Sequence, residues 1–179
     1  MTREGATLTG RAAELRRAFD QSFAEPRRQI VDDVEALLGL RQGDEAYAVR
    51  LNEVAGLFVD RKIVPVPSPM PGLLGLAGLR AGLVPVYSLG ALLERPSGQV
   101  PPRWLLLAGS SEPIGLAFDQ FDGHLHVPRS GLLPSQSAPR PHVVEAARGA
   151  DAIRGVVSIR SIVKAIKERT GVFATMKEQ

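Results

Sequence analysis

Two histidines and an aspartate form the densest group of side chains in the sequence that could bind a metal. Asp122, His124 and His126 lie at alternate positions, so in a strand their side chains would point to the same face. Imidazole and carboxylate groups suit zinc or nickel, and a metal-dependent enzyme is one interpretation. The spacing indicates no further ligand, and a polar strand face with Leu125 and Val127 pointing inward explains the residues equally. We therefore expect structural histidines, with no metal and no cofactor.

Other catalytic signatures are missing from the sequence. The chain contains no cysteine, which excludes disulfides and thiolate metal sites. The glycine-rich stretch 72–82 lacks the Gly-Lys-Ser/Thr of a phosphate-binding loop, and no nucleophile elbow occurs. Asp119 and Asp122 are close in sequence, but nothing marks them as an acid–base pair. The sequence predicts a protein that is not an enzyme.

Composition excludes several further classes. The 179 residues are 44% hydrophobic and 23% charged, with a net charge of +3, as in globular proteins. Acidic residues are interspersed with arginines and aromatics are only 5%, so nucleic-acid binding is not predicted. No apolar segment typical of a signal peptide follows Met1, and we expect a cytoplasmic protein.

The apolar stretch 73–93 is long enough to span a bilayer. As a membrane helix it would place Arg80 near its centre, at a cost of about 2.5–3.5 kcal/mol, and would enclose Pro85. Two short strands around a turn at residues 80–82 accommodate both residues. No membrane insertion is predicted.

The first 36 residues have a helical pattern. Apolar residues recur three and four positions apart, which predicts an amphipathic helix that ends at Pro26. The stripe consists of Leu8, Ala12, Leu15, Phe19 and Phe23. A second helix would bury Ile30, Val34 and Leu37. This extension either packs on the body or forms an arm that binds a partner.

The sequence from residue 37 onward predicts mainly strands. They span 38–41, 46–51, 73–79, 83–87, 104–108, 114–118, 121–127, 142–147 and 153–159. Four prolines at alternate positions predict an edge strand and extended loop over 63–71. We expect a turn or short helix over 52–59, a short helix over 88–94, a long loop over 128–141, and a helix over 160–169. Residues 84–93 weakly resemble 155–163, which suggests two similar small β subdomains.

These segments together resemble CheW-like domains. Residues 43–49 (GDEAYAV) are similar to the opening of such domains, and Asn52-Glu53-Val54 to the acidic motif that follows. The central block, 75–89 (GLAGLRAGLVPVYSL), is similar to the most recognisable motif of the family, and 115–119 to a later one. The resemblance implies a CheW-like domain over residues 37–170, built as two intertwined SH3-like β-barrels, after a helical extension over 1–36.

The resemblance also implies a function. CheW-like proteins are adaptors that couple methyl-accepting chemoreceptor signalling tips to the regulatory domain of a CheA-type histidine kinase. By position, Arg80 matches the partner-contacting arginine of the family and Glu53 its acidic companion. An exposed guanidinium flanked by apolar anchors suits such a contact. The predicted partner-binding residues are Arg80, Leu79, Leu83, Glu53, Gly78, Val84, Pro85 and Val86.

Three residues depart from the family pattern. Gly78 replaces an asparagine, Ala81 a glycine and Ser88 an aspartate. Because Ala81 tolerates a positive φ poorly, Arg80 is expected to point differently, which puts the usual partner set in doubt. The alternative is another β-barrel module that binds a peptide or small ligand.

Overall fold

The computed structural model describes residues 33–80, 82–95, 101–109, 112–134, 140–149 and 152–176, with 171–176 as backbone alone. Within these residues the chain forms strands β1 (Val34–Gln42), β2 (Glu45–Arg50), β3 (Val54–Val59), β4 (Ile63–Val64), β5 (Leu73–Leu79), β6 (Gly82–Ser88), β7 (Trp104–Ala108), β8 (Ile114–Phe118), β9 (Gln120–Pro128), β10 (Leu132–Pro134), β11 (Val143–Arg148) and β12 (Ile153–Val157). The helices are α1 (Leu89–Leu92) and α2 (Ile159–Met176), with 3₁₀ turns at Leu51–Glu53 and Arg129–Gly131.

The strands form two six-stranded sheets of matching topology. Sheet A has the order β10-β11-β12-β2-β1-β9, and sheet B the order β4-β5-β6-β8-β7-β3. Each sheet contains one parallel pair, β12 with β2 and β6 with β8. Sheet B uses one continuous run of chain, whereas sheet A combines the strands before that run with those after it. The prediction of a mainly β fold with two similar halves is confirmed; SH3-like closure of each sheet stays a prediction.

The internal repeat places a capped helix after the parallel strand of each sheet. Ser88 Oγ accepts a hydrogen bond from the Ala91 amide at 3.2 Å, and Ser158 Oγ accepts one from Ser161 at 3.2 Å. A serine side chain at this position satisfies an amide that has no partner within the helix. Alignment on these two serines relates β6 to β12 and gives a residue-by-residue comparison of the sheets.

The main hydrophobic core joins the two sheets. It contains large buried side chains from sheet A, such as Tyr47, from sheet B, such as Phe118, and from α2, such as Ile162. Each buried side chain of this size contributes about 1.5–3 kcal/mol by leaving water. Each sheet also has a small cluster of its own, around Leu37 in sheet A and Leu105 in sheet B.

Most predicted strands are confirmed, but the predicted helix through Val34 and Leu37 is wrong. These residues belong to β1, whose residues 37–40 are all buried between β2 and β9. A strand covered on both faces has a continuous apolar run, which here also fits helical spacing. The first predicted helix, with its stripe from Leu8 to Phe23, lies outside the described residues.

Two other predictions need correction. Residues 54–59 form strand β3 instead of a turn or helix, and only residues 51–53 are helical. A bulge at Ala55 breaks the register between β3 and β7, which hides the alternation typical of a strand. The predicted loop over 128–141 contains a 3₁₀ turn and the short edge strand β10.

Candidate partner-binding surfaces

Strand β3 borders two grooves. The strand groove, of ≈ 610 Å³, follows β3 and is lined by Ala55, Gly56, Leu57, Phe58, Val59, Arg61, Arg80 and Leu107. The helix groove, of ≈ 680 Å³, lies between β3 and α2 and is lined by Asn52, Glu53, Val54, Ala55, Gly109, Ile159, Arg160, Val163, Lys164, Lys167 and Glu168. Ala55 lines both, so the grooves are adjacent but separate.

The β5–β6 turn presents Arg80 at the strand groove. Gly82 has a φ of 101°, which supplies the left-handed conformation that the turn needs and that Ala81 would adopt poorly. Arg80 is exposed, and no carboxylate lies within 4.0 Å of it among the residues with described side chains. Within the described part of the chain, its guanidinium donors therefore have no carboxylate partner.

The other predicted residues of this hairpin differ in exposure. Leu83 is 76% exposed, Gly78 is exposed and offers only backbone, and Leu79 packs partly against the sheet B cluster. Leu83 and Pro85 line a third groove, of ≈ 710 Å³, between β6 and α2.

Val84 and Val86 are both 0% exposed. Their side chains point into the core, because alternate residues of β6 face opposite sides of the sheet. The prediction that these two valines contact a partner is therefore corrected: they are core residues that hold β6 in place.

Glu53 has a structural contact in addition to its place in the helix groove. Its Oε2 atom accepts a hydrogen bond from the Ile159 amide at 2.8 Å, and Arg160 Nε lies 3.6 Å from Oε1. The Glu53 side chain is 7% exposed. A carboxylate at a helix N-terminus is favoured both by the unpaired amides and by the helix dipole. Glu53 thus positions α2, and the structure places it in a different groove from Arg80.

The helix groove combines an apolar floor with a mixed charged rim. Val54 and Val163 form part of the floor. Lys164 lies 3.8 Å from Glu168 on the same helix, and Lys167 lies 2.5 Å from Glu112. This rim therefore carries both signs of charge, and its lysines already have carboxylate neighbours.

The strand groove has cations only. Its lining contains Arg61 and Arg80 and no acidic residue. Arg61 lies over the Phe58 ring, with 5.6 Å between its guanidinium carbon and the ring centroid, a cation–π arrangement. Sequence reasoning missed Arg61 and Phe58; the pattern that could have indicated them is an apolar run followed at once by Asp60-Arg61-Lys62.

Asp122, His124 and His126 of β9 do not form the group on one strand face that the alternation of side chains predicted. The β1–β9 register shifts at Asp122, where Gly39 pairs with Gly123 and Leu40 with Phe121. This bulge takes Asp122 out of phase with the exposed His124 and His126, so the expectation of one shared face is wrong. Among the described residues, no group of three or more His, Cys, Asp or Glu side chains is arranged to bind a metal.

Asp122 belongs instead to a buried cluster of charges in sheet A. Its Oδ2 accepts hydrogen bonds from Arg154 Nη1 at 2.6 Å and Arg41 Nε at 3.1 Å. The side chains of Arg154 and Asp122 are only 7% and 10% exposed. Asp119 is also engaged structurally, since it accepts from the Gly43 amide at 2.7 Å in the β1–β2 turn. Neither carboxylate lies in a groove described above.

A second charged group joins β2 to the segments after α1 and before β11. Glu45 lies 3.1 Å from both Arg95 and Arg140 and accepts a hydrogen bond from the Tyr47 hydroxyl. Burial and this bond to Glu45 raise the pKa of Tyr47. These side chains are partly exposed, and Glu45 and Arg140 also line a smaller groove of ≈ 250 Å³.

No helix in the described part of the chain is long and apolar enough to cross a membrane. In the apolar stretch 73–93, residues 73–79 form β5, 82–88 form β6 and 89–92 form α1, so the predicted pair of short strands is confirmed.

Comparison with known proteins agrees with the fold. The sequence model of the CheW-like domain matches residues 36–167, so the chain belongs to the CheW-like family, a family of chemotaxis scaffold and adaptor proteins. Among solved structures it is similar to the scaffolding protein TtCheW from Thermoanaerobacter tengcongensis, with a TM-score of 0.62 at 15% identity over 70% of this chain and 89% of that one. A search of curated proteins gives no match.

Proposed function

We propose that this chain is a non-enzymatic cytoplasmic adaptor that couples chemoreceptors to a CheA-type histidine kinase. The partners are the signalling tip of a methyl-accepting receptor and the regulatory domain of the kinase. Membership of the CheW-like family supports this proposal at the level of the class.

The observation that carries the proposal is the pair of grooves beside β3. An adaptor must bind two partners at once, which requires two surfaces that do not overlap. The helix groove and the strand groove share only Ala55, and each combines apolar residues with cations. Apolar anchors beside an oriented charge are typical of residues that dominate binding energy.

Within this proposal the predicted residues take different roles. Arg80 makes the charged contact, Leu83 and Leu79 are its apolar neighbours, and Gly78 and Pro85 shape the hairpin that presents them. Glu53 contributes by fixing the start of α2 at the edge of the helix groove. Residues 78, 81 and 88 depart from the family pattern, and we therefore expect a set of partners that is specific to this chain.

The experiment is a pull-down with the purified chain from cell extracts of its own source, in which recovered proteins are identified. We expect a chemoreceptor and a histidine kinase, and we expect Arg80→Glu to weaken recovery of at least one of them tenfold or more, about 1.4 kcal/mol per factor of ten. The matched control is Arg148→Glu, since Arg148 is an exposed arginine on the corresponding hairpin of sheet A.

Both variants should keep the melting temperature of the wild type, because the altered side chains are exposed. Recovery of neither a receptor nor a kinase would overturn the proposal. A bound small molecule in place of protein partners would favour the ligand-binding alternative, since ≈ 680 Å³ lies within the usual size range of ligand pockets.

A further inference from the structure

We propose that the strand groove binds an extended acidic peptide, which adds to β3 as a further strand of sheet B. The inference goes beyond the proposed function in naming the chemistry of the bound segment. It rests on the proposed function only in assigning that segment to one of the two partners.

The free edge of β3 supplies the backbone groups for this pairing. Among the residues that the structure describes, β3 is the terminal strand of sheet B and pairs only with β7. Five consecutive residues, 55–59, line the groove, so the groove follows the strand for roughly 17 Å. An edge of unpaired amides and carbonyls is a template for another strand, and added strands are a common mode of peptide recognition.

Apolar side chains line the middle of the groove beside Gly56. A Cβ atom at Gly56 would lie 3.0 Å from the Phe58 ring and 3.9 Å from Leu107 Cβ, so the Phe58 ring already covers this glycine. Phe58 and Leu107 both line the groove and give it an apolar surface. In strand addition, contacts of this kind with alternate side chains of the peptide add specificity to the backbone pairing.

The charges of the groove select an acidic peptide. Arg61 and Arg80 are the only charged residues in its lining, and neither has a carboxylate within 4.0 Å among the residues with described side chains. The helix groove, by contrast, contains Glu53 and Glu168 among its cations. Two available guanidiniums favour carboxylates through charge-assisted hydrogen bonds.

The probe is a synthetic eight-residue peptide that alternates glutamate with valine, titrated into the full chain and followed by NMR of the backbone amides. We expect saturable shifts in the amides of residues 55–59 and slower hydrogen exchange at every second one of them. Arg61→Glu and Arg80→Glu should each weaken binding at least tenfold, and Arg148→Glu should leave it unchanged. A lysine–valine peptide of the same length should not bind.

A peptide with N-methyl groups on alternate residues separates strand addition from simple charge attraction. Methylation of the peptide amides that face β3 should abolish binding, and methylation of the amides on the opposite edge of the peptide should not. Equal binding of both methylated forms, shifts centred on α2, or no binding at about 1 mM peptide would overturn the proposal.

The outcomes for the peptide and for the adaptor function are independent. Peptide binding without a receptor or kinase in the pull-down would retain the strand groove and reject the proposed partners. Recovery of both partners without peptide binding would retain the adaptor function and reject strand addition.

Discussion

Sheets A and B have the same strand order but differ in where their charged side chains lie and how these are paired. Alignment on Ser88 and Ser158 places Arg154 of sheet A where sheet B has Val84, and the bulged residue is Asp122 in β9 but Ala55 in β3. Sheet A thus buries an ion pair at a position where sheet B is apolar. In sheet B, Arg61 and Arg80 remain at the surface without carboxylates among the residues with described side chains.

This difference indicates that two sheets of the same topology use their charged side chains for different purposes. In sheet A, charged side chains of opposite sign pair with each other. The arginines in these pairs are Arg41, Arg50, Arg140 and Arg154. Internal pairs of this kind fix the geometry of a sheet and leave little charge for a ligand. In sheet B, Arg61 and Arg80 line the strand groove, where a partner can use their charge.

The largest effect is expected from removal of the buried carboxylate. Asp122→Ala leaves the Arg154 guanidinium, 7% exposed, without its partner, and loss of one member of a buried pair costs about 3–5 kcal/mol. The free energy of unfolding, measured by chemical denaturation, checks this. The control is Asp60→Asn, which removes the charge of an exposed pair with Arg103 at 2.8 Å. Asparagine tolerates the φ of 51° at this position, and the loss should be much smaller because exposed ion pairs contribute little. Equal losses in the two variants would show that sheet A does not depend on its buried charges.

A second variant replaces the buried ion pair of sheet A by the apolar residues that sheet B has at the matching positions. We expect the double variant Asp122→Ala, Arg154→Val to unfold within about 2 kcal/mol of the wild type, since apolar residues often replace a buried ion pair without loss. A double-mutant cycle should then give a coupling energy of at least about 1 kcal/mol. Additive losses would mean that the two side chains act separately.

The two helices differ in their caps, and Glu53 tests the difference. α1 has Ser88 at its start, whereas α2 has both Ser158 and Glu53. Glu53→Ala removes the acceptor of the Ile159 amide and should cost about 0.5–2 kcal/mol in denaturation. Glu168→Ala, on the exposed side of α2, should cost only a few tenths, about 0.2–0.5 kcal/mol. If both variants lose the same amount, Glu53 does not act as a cap.

The smallest effect concerns His142, which precedes β11 and lies beside α2. Burial, and then the positive charge of Arg169, lower the pKa of His142, and its Nδ1 lies 2.9 Å from Ser161 Oγ. Because the unfolded chain binds the proton more readily, stability should fall as the pH drops through and below the ordinary value of 6.5.

The variant His142→Asn should reduce this pH dependence between about pH 8 and pH 5. Asparagine tolerates the φ of 62° at this position, so the backbone need not change. Unfolding free energies at several pH values are the measurement, and an unchanged slope in the variant would assign the effect to another group.

Local patterns in the sequence predicted most individual strands, because turn residues and alternation are short-range signals. The hairpin around Gly43 and the edge strand β4, which the alternate prolines follow, are examples. The parallel pairs were beyond such reasoning, since β2 pairs with β12 from the other end of the chain. β3 was missed because its bulge and Gly56 disrupt the alternation that identifies strands.

The candidate site was predicted in part. The position of Arg80 in a turn followed from Gly82 and the flanking apolar runs. The burial of Val84 and Val86 did not, because the turn alone does not show which face of β6 is covered. The link between Glu53 and the Ile159 amide joins residues far apart in the chain, and no local pattern indicates it.

Sheet B is formed by one continuous run of chain and sheet A by two separate runs, which has a consequence for folding during synthesis. Every strand of sheet B lies between β3 and β8, so this sheet can form as soon as that run has left the ribosome. Sheet A must wait for β12 before β2 gains its parallel neighbour, and contacts between distant segments form slowly. The β1–β2 hairpin is therefore synthesised before sheet B and completed after it. In the interval between synthesis of β2 and of β12, its apolar residues are exposed to aggregation.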